Sequence, residues 1–215
     1  MTSFVVVELR HGPVGRIPHA GRRVPSAIGK SRAAGPLALG PLGFDGDTVA
    51  DRRHHGGPDK AVCVYPAVRY EGWHARYGAP LARPAFGENV LAGGVHEGDV
   101  HVGDVFELGT AVVEVSQPRV PCYKPAAFTG EPRLTVDLRT SGWTGWYLRV
   151  RQPGTVAEGD VARLAARPAG AVSVLALNAL RYAEGDVAEA DLERAAAAPA
   201  LTDDWRAALL SRRRR

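Results

Sequence analysis

The sequence contains little cysteine, since Cys63 and Cys122 are the two cysteines among 215 residues. Two cysteines are too few for a disulfide framework in a chain of this size, and a reducing cytosol argues against their pairing. Neither a CxxC pair nor an HExxH sequence is present, so a dedicated zinc site is not predicted. Any function of cysteine here therefore belongs to an individual thiol.

Long hydrophobic runs are also missing. The longest ones, such as residues 4–7 and 61–65, fall far short of the roughly 20 apolar residues that span a bilayer. The N-terminus lacks the basic start and the apolar stretch of a signal peptide. We therefore expect a cytoplasmic protein without a membrane partner.

The chain has almost no excess charge outside its end. Four arginines at residues 212–215 supply as much charge as the whole net charge of +4, so the body is close to neutral. Because no aromatic residues alternate with the basic ones, we expect no nucleic acid polymer as a partner and interpret the run as a solvated tail. A Ser-His-Asp order, a Walker loop and a Rossmann fingerprint are absent as well.

Hydrophobic patterning predicts a mostly β fold in the first three quarters of the chain. Up to about residue 165, short β-like runs are separated by Gly, Pro and Asp, which favours a closed or nearly closed β-barrel over a parallel α/β sheet. A few helices interrupt this pattern, at residues 66–77 and 132–140. The predicted strands cover residues 4–9, 61–65, 100–108, 111–116, 146–150 and 161–164. We assign residues 1–165 to the barrel.

From residue 168 onward the pattern is helical. Helices are predicted at residues 172–182, 187–197 and 203–212, with Thr202 as the N-cap of the last one. Residues 168–212 therefore form a small three-helix C-terminal domain.

Near the other end, the Pro- and Gly-rich segment 13–41 surrounds a basic patch and is long for a structureless connection. We therefore expect it to contain a strand near residues 26–29 and to line a site.

The strongest candidate for chemistry is Cys122. It follows the predicted strand at residues 111–116, on a turn that three prolines stiffen. Arg119 and Lys124 place positive charge nearby, which favours the thiolate, the form that attacks an electrophile or binds a metal. A buried, inert cysteine is the alternative, and we assign that role to Cys63 in its apolar run.

A second candidate is the run His-His-Gly-Gly-Pro-Asp-Lys at residues 54–60. Paired glycines let the backbone approach a ligand closely, and His55 and Lys60 could neutralise a phosphate. A Gly-Pro-Asp turn between strands needs no ligand, however, and the same alternative applies to Asn89 and to Lys30. The residues alone thus predict an anion-binding barrel with a reactive cysteine.

Six short runs together resemble the MOSC domain family, the molybdenum-cofactor sulfurase C-terminal domain, and within it the YiiM-like branch. The resemblance covers residues 26–164, and the segment from residue 168 resembles the three-helix domain that follows the barrel in that branch. The runs occur in the family's order: Ile-Gly-Lys-Ser at 28–31, Gly-Pro-Leu-Gly-Phe-Asp-Gly-Asp at 40–47, His-Gly-Gly-Pro-Asp-Lys at 55–60, Phe-Gly-Glu-Asn at 86–89, Ser-Gln-Pro-Arg-Val-Pro-Cys at 116–122 and Gly-Trp-Tyr-Leu-Arg at 145–149.

This resemblance implies a MOSC-type β-barrel that holds a molybdenum cofactor in its molybdopterin form. Cys122 would be a direct ligand of the molybdenum, which a soft thiolate suits, with Arg119 beside the metal. The positions that match those holding the pterin and its phosphate are Lys30, Ser31, His55, Asp59, Lys60 and Asn89.

The resemblance also implies a reaction. Relatives of this kind reduce N-hydroxylated compounds, and the YiiM-like branch is associated with the detoxification of purines such as 6-hydroxylaminopurine. The expected activity is a molybdenum-dependent oxidoreductase of the N-hydroxylamine reductase type, with Cys122 as catalytic residue and either His55 or Asp59 as the acid that protonates the departing oxygen. No flavin, haem or iron–sulfur motif occurs, so we expect a separate reductase to donate the electrons.

Two other functions stay open. Cys122 would carry a persulfide if the chain were a sulfur carrier, as in relatives fused to a pyridoxal-phosphate sulfurase, although this chain contains no such domain. The barrel would otherwise serve as a non-catalytic module for binding or delivering the cofactor. We expect a monomer or a homodimer, in which Trp143, Trp146 or Trp205 would mark an interface if exposed, although tryptophan is more common in cores.

Overall fold

The computed structural model describes residues 2–214, so Met1 and Arg215 lie outside it, as do the side chains of residues 213 and 214. The strands are β1 (Ser3–His11), β2 (Gly15–His19), β3 (Arg22–Ser26), β4 (Ser31–Arg32), β5 (Leu37–Gly40), β6 (Gly43–Phe44), β7 (Val62–Pro66), β8 (Val90–Gly93), β9 (Val105–Leu108), β10 (Ala111–Pro118), β11 (Trp146–Gln152), β12 (Gly154–Val156) and β13 (Val161–Ala166). The helices are α1 (Arg52–His55), α2 (Ala67–Tyr77), α3 (Lys124–Thr129), α4 (Leu134–Ser141), α5 (Val174–Tyr182), α6 (Glu189–Ala196) and α7 (Asp203–Leu210). Short 3-10 turns cover Pro58–Lys60 and Ser211–Arg214.

The large sheet closes into a barrel. Its order is β1, β13, β9, β10, β11, β7, β8 and back to β1. Neighbouring strands are antiparallel except β7 and β8, which run parallel because α2 carries the chain back between them. Two small sheets, β2–β3 and β12–β5–β6, lie outside the barrel order. The predicted mostly β fold, with a few helices and a helical C-terminal part, is confirmed.

Alternate side chains along the barrel strands point into the interior of the barrel, and apolar residues fill it. In β1, Phe4 and Val6 are buried whereas Val5 and Val7 are exposed, because successive side chains of a strand point to opposite faces. Phe4 packs edge-on against Phe106, with ring centroids 5.3 Å apart. Since apolar side chains occupy the interior, a ligand site has to lie outside it.

The strand bounds differ from the prediction in two places. The strand predicted at residues 100–108 begins only at Val105, because residues 101–104 turn around Gly103, whose φ of 90° favours glycine. The strand predicted near residues 26–29 instead ends at Ser26, as the second arm of the β2–β3 hairpin. The chain then continues to the short strand β4 without a strand between them.

The C-terminal helices pack directly on the barrel. Leu177 of α5 and Trp205 of α7 belong to the same buried cluster as Val113 of β10. Thr202 precedes α7 as predicted, but its hydroxyl donates to Gln117 Oε1 (2.9 Å) and does not cap the helix. One apolar cluster thus runs through both parts of the chain, and the domain boundary near residue 165 stays a prediction.

Three tryptophans and the first of the terminal arginines make contacts within the chain. Trp146 and Trp205 are fully buried, so neither marks an interface, and Trp143 is partly buried. The terminal arginine run is not wholly a solvated tail, because the Arg212 guanidinium donates to the carbonyl of Arg181 (2.7 Å). Across residues 2–214, none of the helices combines the length and the apolar character that a membrane span requires.

Candidate cofactor site

A pocket of about 700 Å³, counting its open mouth, lies against the outer face of β7 and β11. Cys63 and Tyr147 line it, whereas Trp146, the neighbour of Tyr147, points into the barrel and contacts Phe4. The loops after β3, β6 and β10 form much of its wall, together with α1, the turn Pro58–Lys60 and the strands β7 and β11. Its polar lining includes Lys30, Asp47, Asp51, His55, Lys60, Asn89, Arg119, Cys122, Lys124 and Tyr147. Basic groups outnumber acidic ones, so the pocket is suited to an anion.

Strand β10 delivers the cysteine to this pocket. The strand ends at Pro118, and the N–H of the following Arg119 donates to the carbonyl of Gly145 (3.0 Å). Helix α3 begins two residues after Cys122, whose own carbonyl accepts from Thr135 Oγ1 (3.1 Å). The partly exposed thiol is therefore carried by a short link that is fixed on both sides.

Beside this link lies a buried cation with unused hydrogen-bonding capacity. Arg119 is 3% exposed, and its Nη1 has no hydrogen-bond partner within residues 2–214. Burial lowers the pKa of Arg119, whereas the neighbouring Cys122 and Tyr147 raise it. The raising effects together are larger, so the net shift of the pKa is upward and the guanidinium stays charged. A buried charged donor without a partner is costly, and an anion in the pocket would satisfy it.

His55 is a neutral group in this setting. Burial, together with the positive charges of Arg119 and Lys124, lowers the pKa of His55 to about 4. Its Nδ1 lies 3.5 Å from the Tyr147 hydroxyl, at the limit of a hydrogen bond. Near pH 7, His55 thus contributes a hydrogen-bonding ring and no positive charge.

Lys30 and Asn89 also line the pocket, but both are already bound. Lys30 forms a buried ion pair with Asp47. Asn89 donates to Asp47 Oδ2 (2.9 Å) and accepts from the backbone N–H of Cys63 (3.0 Å). By contrast, Lys60 meets only an exposed carboxylate at 3.9 Å. The available positive charge therefore comes from Arg119, Lys60 and Lys124.

Ser31 and Asp59 are the two predicted site residues that the structure does not bring to the pocket. Ser31 is exposed and pairs with His11 where β4 joins β1. The Asp59 carboxylate accepts from Arg149 Nε (2.8 Å), while the next residue, Lys60, reaches the pocket lining. A role for Ser31 in cofactor binding and for Asp59 in proton transfer stays a prediction.

Sequence reasoning missed Tyr147 as a site residue. It lies on β11 within the run at residues 145–149, and that run was the available signal. Burial raises the pKa of Tyr147 well above its usual value, so its hydroxyl keeps its proton. Cys63 also lines the pocket, but burial raises its pKa to about 12, which agrees with the inert role predicted for it.

The C-terminal helices hold the strand end that leads to Cys122. Trp205 Nε1 donates to the carbonyl of Pro118 (3.0 Å), and Thr202 Oγ1 donates to Gln117 Oε1 (2.9 Å), both within the interior. Arg149 connects the same helical segment to the turn Pro58–Lys60, because it donates to the carbonyl of Ala200 (2.9 Å) and to Asp59. The loop between α6 and α7 thus supports two of the segments that line the pocket.

The donor set fits an anionic cofactor that brings a metal with it. In the described part of the chain, no group of three or more His, Cys, Asp and Glu side chains could hold a metal ion. Cys122 supplies one soft ligand, which suits a metal whose remaining ligands belong to a cofactor. The Nη1 of Arg119, which has no hydrogen-bond partner within residues 2–214, suits an oxygen anion such as a phosphate.

Comparisons with known proteins agree with this arrangement. The family model of the MOSC domain matches residues 51–163, and the model of the YiiM-like, 3-alpha helix domain matches residues 172–215. The crystal structure of YiiM from Geobacillus stearothermophilus is similar, with a TM-score of 0.81 and 36% identity over 97% of this chain and 98% of that one.

Two curated relatives extend the comparison. Protein YflK of Bacillus subtilis (strain 168) is 38% identical over 99% of this chain and 96% of its own length. A Gibberella moniliformis protein named Reductase is 33% identical over 80% of this chain, although the match spans 31% of that longer protein. The chain therefore belongs to the MOSC domain family and carries a YiiM-like 3-alpha helix domain after its barrel.

Proposed function

We propose that this protein is a molybdenum-cofactor-dependent reductase of small N-hydroxylated compounds, such as 6-hydroxylaminopurine, with a role in detoxification. The observation that carries the proposal is the buried Nη1 of Arg119, which has no hydrogen-bond partner within residues 2–214, beside the partly exposed Cys122 in the pocket of a MOSC domain. The similarity to a protein named Reductase favours a reductive activity over sulfur transfer.

Each residue of the pocket has a distinct part in this proposal. Cys122 binds molybdenum through its thiolate, and Arg119 and Lys60 hold the anionic groups of the cofactor. When bound, the molybdenum cofactor supplies the exchange of two electrons. The reaction consumes two electrons and two protons, breaks the N–O bond, forms one N–H bond and releases the oxygen as water. A separate reductase provides the electrons.

His55 is the better candidate for handling the proton, because it lines the pocket and Asp59 does not. With a pKa lowered to about 4 by burial and by Arg119, His55 is mostly neutral near pH 7. It would therefore pass a proton through hydrogen bonds and would not act as a standing imidazolium. The Tyr147 hydroxyl, 3.5 Å from Nδ1 of His55, is the side-chain group that the ring approaches in the pocket.

Metal content tests the proposal directly. Wild type, Cys122→Ser and the control Cys63→Ala are purified from a host that makes the molybdenum cofactor, and molybdenum is measured by mass spectrometry. We expect wild type and Cys63→Ala to carry molybdenum and to reduce 6-hydroxylaminopurine, and Cys122→Ser to lose most of both. Wild-type protein without molybdenum would refute the proposal, and a Cys122→Ser variant with full metal and full activity would refute the ligand assignment.

The same samples separate the two other functions. A persulfide on Cys122 in protein that lacks molybdenum would support a sulfur carrier. Bound cofactor that never reduces an N-hydroxylated substrate, even with a strong chemical reductant, would support a delivery protein. Intact-mass analysis and the activity assay provide these two readouts.

A further inference from the structure

Unpaired cations are concentrated at the mouth of the pocket. Most arginines elsewhere pair with a carboxylate, as Arg32 does with Glu158 (2.6 Å) and Arg151 with Glu114 (2.7 Å). Five exposed arginines near the mouth have no carboxylate partner in the part of the chain that the structure describes. We call this group the basic rim: Arg16, Arg22, Arg23, Arg52 and Arg53.

Three members of the basic rim lie on the β2–β3 hairpin. The base of this hairpin, Ser26, lines the pocket. Near its tip, His19 stacks on Tyr123, with ring centroids 4.1 Å apart, and Arg22 lies opposite His19 in the ladder. Because Tyr123 directly follows Cys122, the hairpin holds its arginines beside the entrance to the thiol.

The other two members lie on α1. Asp51 and His55, which flank them in sequence, both line the pocket, so Arg52 and Arg53 stand on its edge. The Asp51 carboxylate does not neutralise them, since it accepts from the backbone N–H of Arg53 (3.1 Å) and from the His54 ring (2.9 Å). The charge of α1 therefore faces solvent.

The mouth also has features of a protein interface. Leu42 lines the pocket and is 74% exposed, so it offers an apolar contact within a charged surrounding, as protein interfaces do. A single-stranded nucleic acid would need free aromatic faces for its bases to stack on. The exposed aromatic ring at the mouth, Tyr123, already has His19 stacked on it. A protein partner thus fits this surface better than RNA.

We propose that the basic rim is the docking surface for an electron-transfer protein whose own surface is acidic around its redox group. This inference rests on the proposed function, which requires electrons from a separate protein. Two successive one-electron transfers from the docked donor oxidise its redox group and supply both electrons. Two protons come from solvent, the N–O bond breaks, the nitrogen gains one hydrogen and the oxygen leaves as water. Opposite charge at the two surfaces speeds their encounter.

The test compares two reductants on the same holoenzyme. Photoreduced flavodoxin is the acidic protein donor, and reduced methyl viologen is the small donor that needs no docking surface. The rim variant carries Arg22→Glu, Arg52→Glu and Arg53→Glu. The control is Arg163→Glu, an exposed arginine opposite Ser3. The pocket residue Asn89 contacts the carbonyl of Arg10, near the other end of β1. Ser3 is roughly 23 Å from Arg10 along the strand, at about 3.3 Å per residue, so the control lies far from the pocket.

With flavodoxin, we expect the rim variant to lose about tenfold or more in kcat/KM for the donor, since steering of this kind changes association rates by about 10 to 10³. With methyl viologen, it should retain at least the wild-type rate. Raising the salt from about 0.01 M to about 0.1 M shortens the Debye length from about 30 Å to about 10 Å. With flavodoxin, this change should slow the wild type and the control but not the rim variant.

Equal flavodoxin kinetics in the rim variant and wild type would overturn the proposal, and so would an equal loss with both reductants. If no sample turns over with either reductant, the proposed function has failed, and the flavodoxin Kd at low salt decides the docking surface alone. Binding that weakens about tenfold in the rim variant but not in Arg163→Glu would uphold it. Unchanged flavodoxin binding in the rim variant would overturn it. A short RNA that binds the wild-type protein more tightly than flavodoxin does would also overturn it.

Discussion

Replacing Thr202 with valine removes one hydroxyl from the contact between the C-terminal helices and the strand that leads to Cys122. Thr202 is 8% exposed and its partner Gln117 is 1% exposed, with 2.9 Å between Oγ1 and Oε1. Valine has nearly the same shape, so the main change is a buried acceptor left without its donor. An unsatisfied buried group costs about 1–3 kcal/mol, and we expect that loss in the free energy of unfolding.

Urea denaturation measures this loss, with Thr155→Val as the matched control. Thr155 is exposed on β12, so its substitution should stay within about 0.5 kcal/mol of wild type. A double-mutant cycle with Gln117→Leu isolates the contact, because removing both partners should cost clearly less than the sum of the single changes. An interaction energy of zero would refute the hydrogen bond.

The same variant tests whether the helices position the cysteine. Burial raises the pKa of Cys63 to about 12, so at neutral pH the fast phase of alkylation by iodoacetamide reports Cys122. If the contact fixes the link after β10, Thr202→Val should change this rate by up to about fivefold, the equivalent of about 1 kcal/mol. A lower stability with an unchanged Cys122 rate would show that the helices stabilise the barrel without positioning the thiol.

Two further predictions concern the barrel. Burial raises the pKa of Glu8, but hydrogen bonds from two arginines lower it more, to below the ordinary 4.5. The stabilisation is therefore complete above about pH 4.5 and lost as the pH falls, and Glu8→Gln should flatten the acid limb of Tm against pH; an unchanged limb would contradict this. In α2, a Cβ on Gly72 would lie 2.7 Å from the Trp143 ring, whereas one on Gly35 meets nothing within 4 Å. Gly72→Ala should thus lower the free energy of unfolding by about 1–3 kcal/mol, and a urea midpoint equal to that of Gly35→Ala would refute the steric argument.

Local pattern was enough to predict most elements of the fold. The β1 run alternates buried and exposed positions over Phe4 to Val7, and a pattern of period two is visible in any sequence. Closure of the barrel is different, because β1 pairs Ser3 with Arg163 and so joins the two ends of the barrel sequence. A pairing over that distance leaves no local signal. The pattern of short strands favoured a closed or nearly closed barrel, but it did not identify which strands pair to close it.

The site was predictable to the extent that family runs mark it. Lys30 and Asn89 do reach the pocket with Cys122, but the sequence could not show that Asp47 already binds both of them. That contact joins residues separated by up to 42 positions in the chain, so it depends on how the loops pack. Tyr147 was missed for a related reason, since an aromatic residue in a strand has the same pattern whether its hydroxyl faces a core or a pocket.

Net charge shows why position matters more than composition in this protein. The terminal arginines account for the sum of +4, and that sum gave no reason to expect a charged surface elsewhere. Yet carboxylates such as Glu114 and Glu158 pair with arginines along the barrel wall, while the hairpin and α1 keep their arginines unpaired. A chain whose body is nearly neutral can therefore present strong positive charge at one opening. Since the buried guanidinium of Arg119 lies in the pocket behind that opening, the charge that would attract an acidic donor and the charge that would hold an anionic cofactor belong to the same site as Cys122.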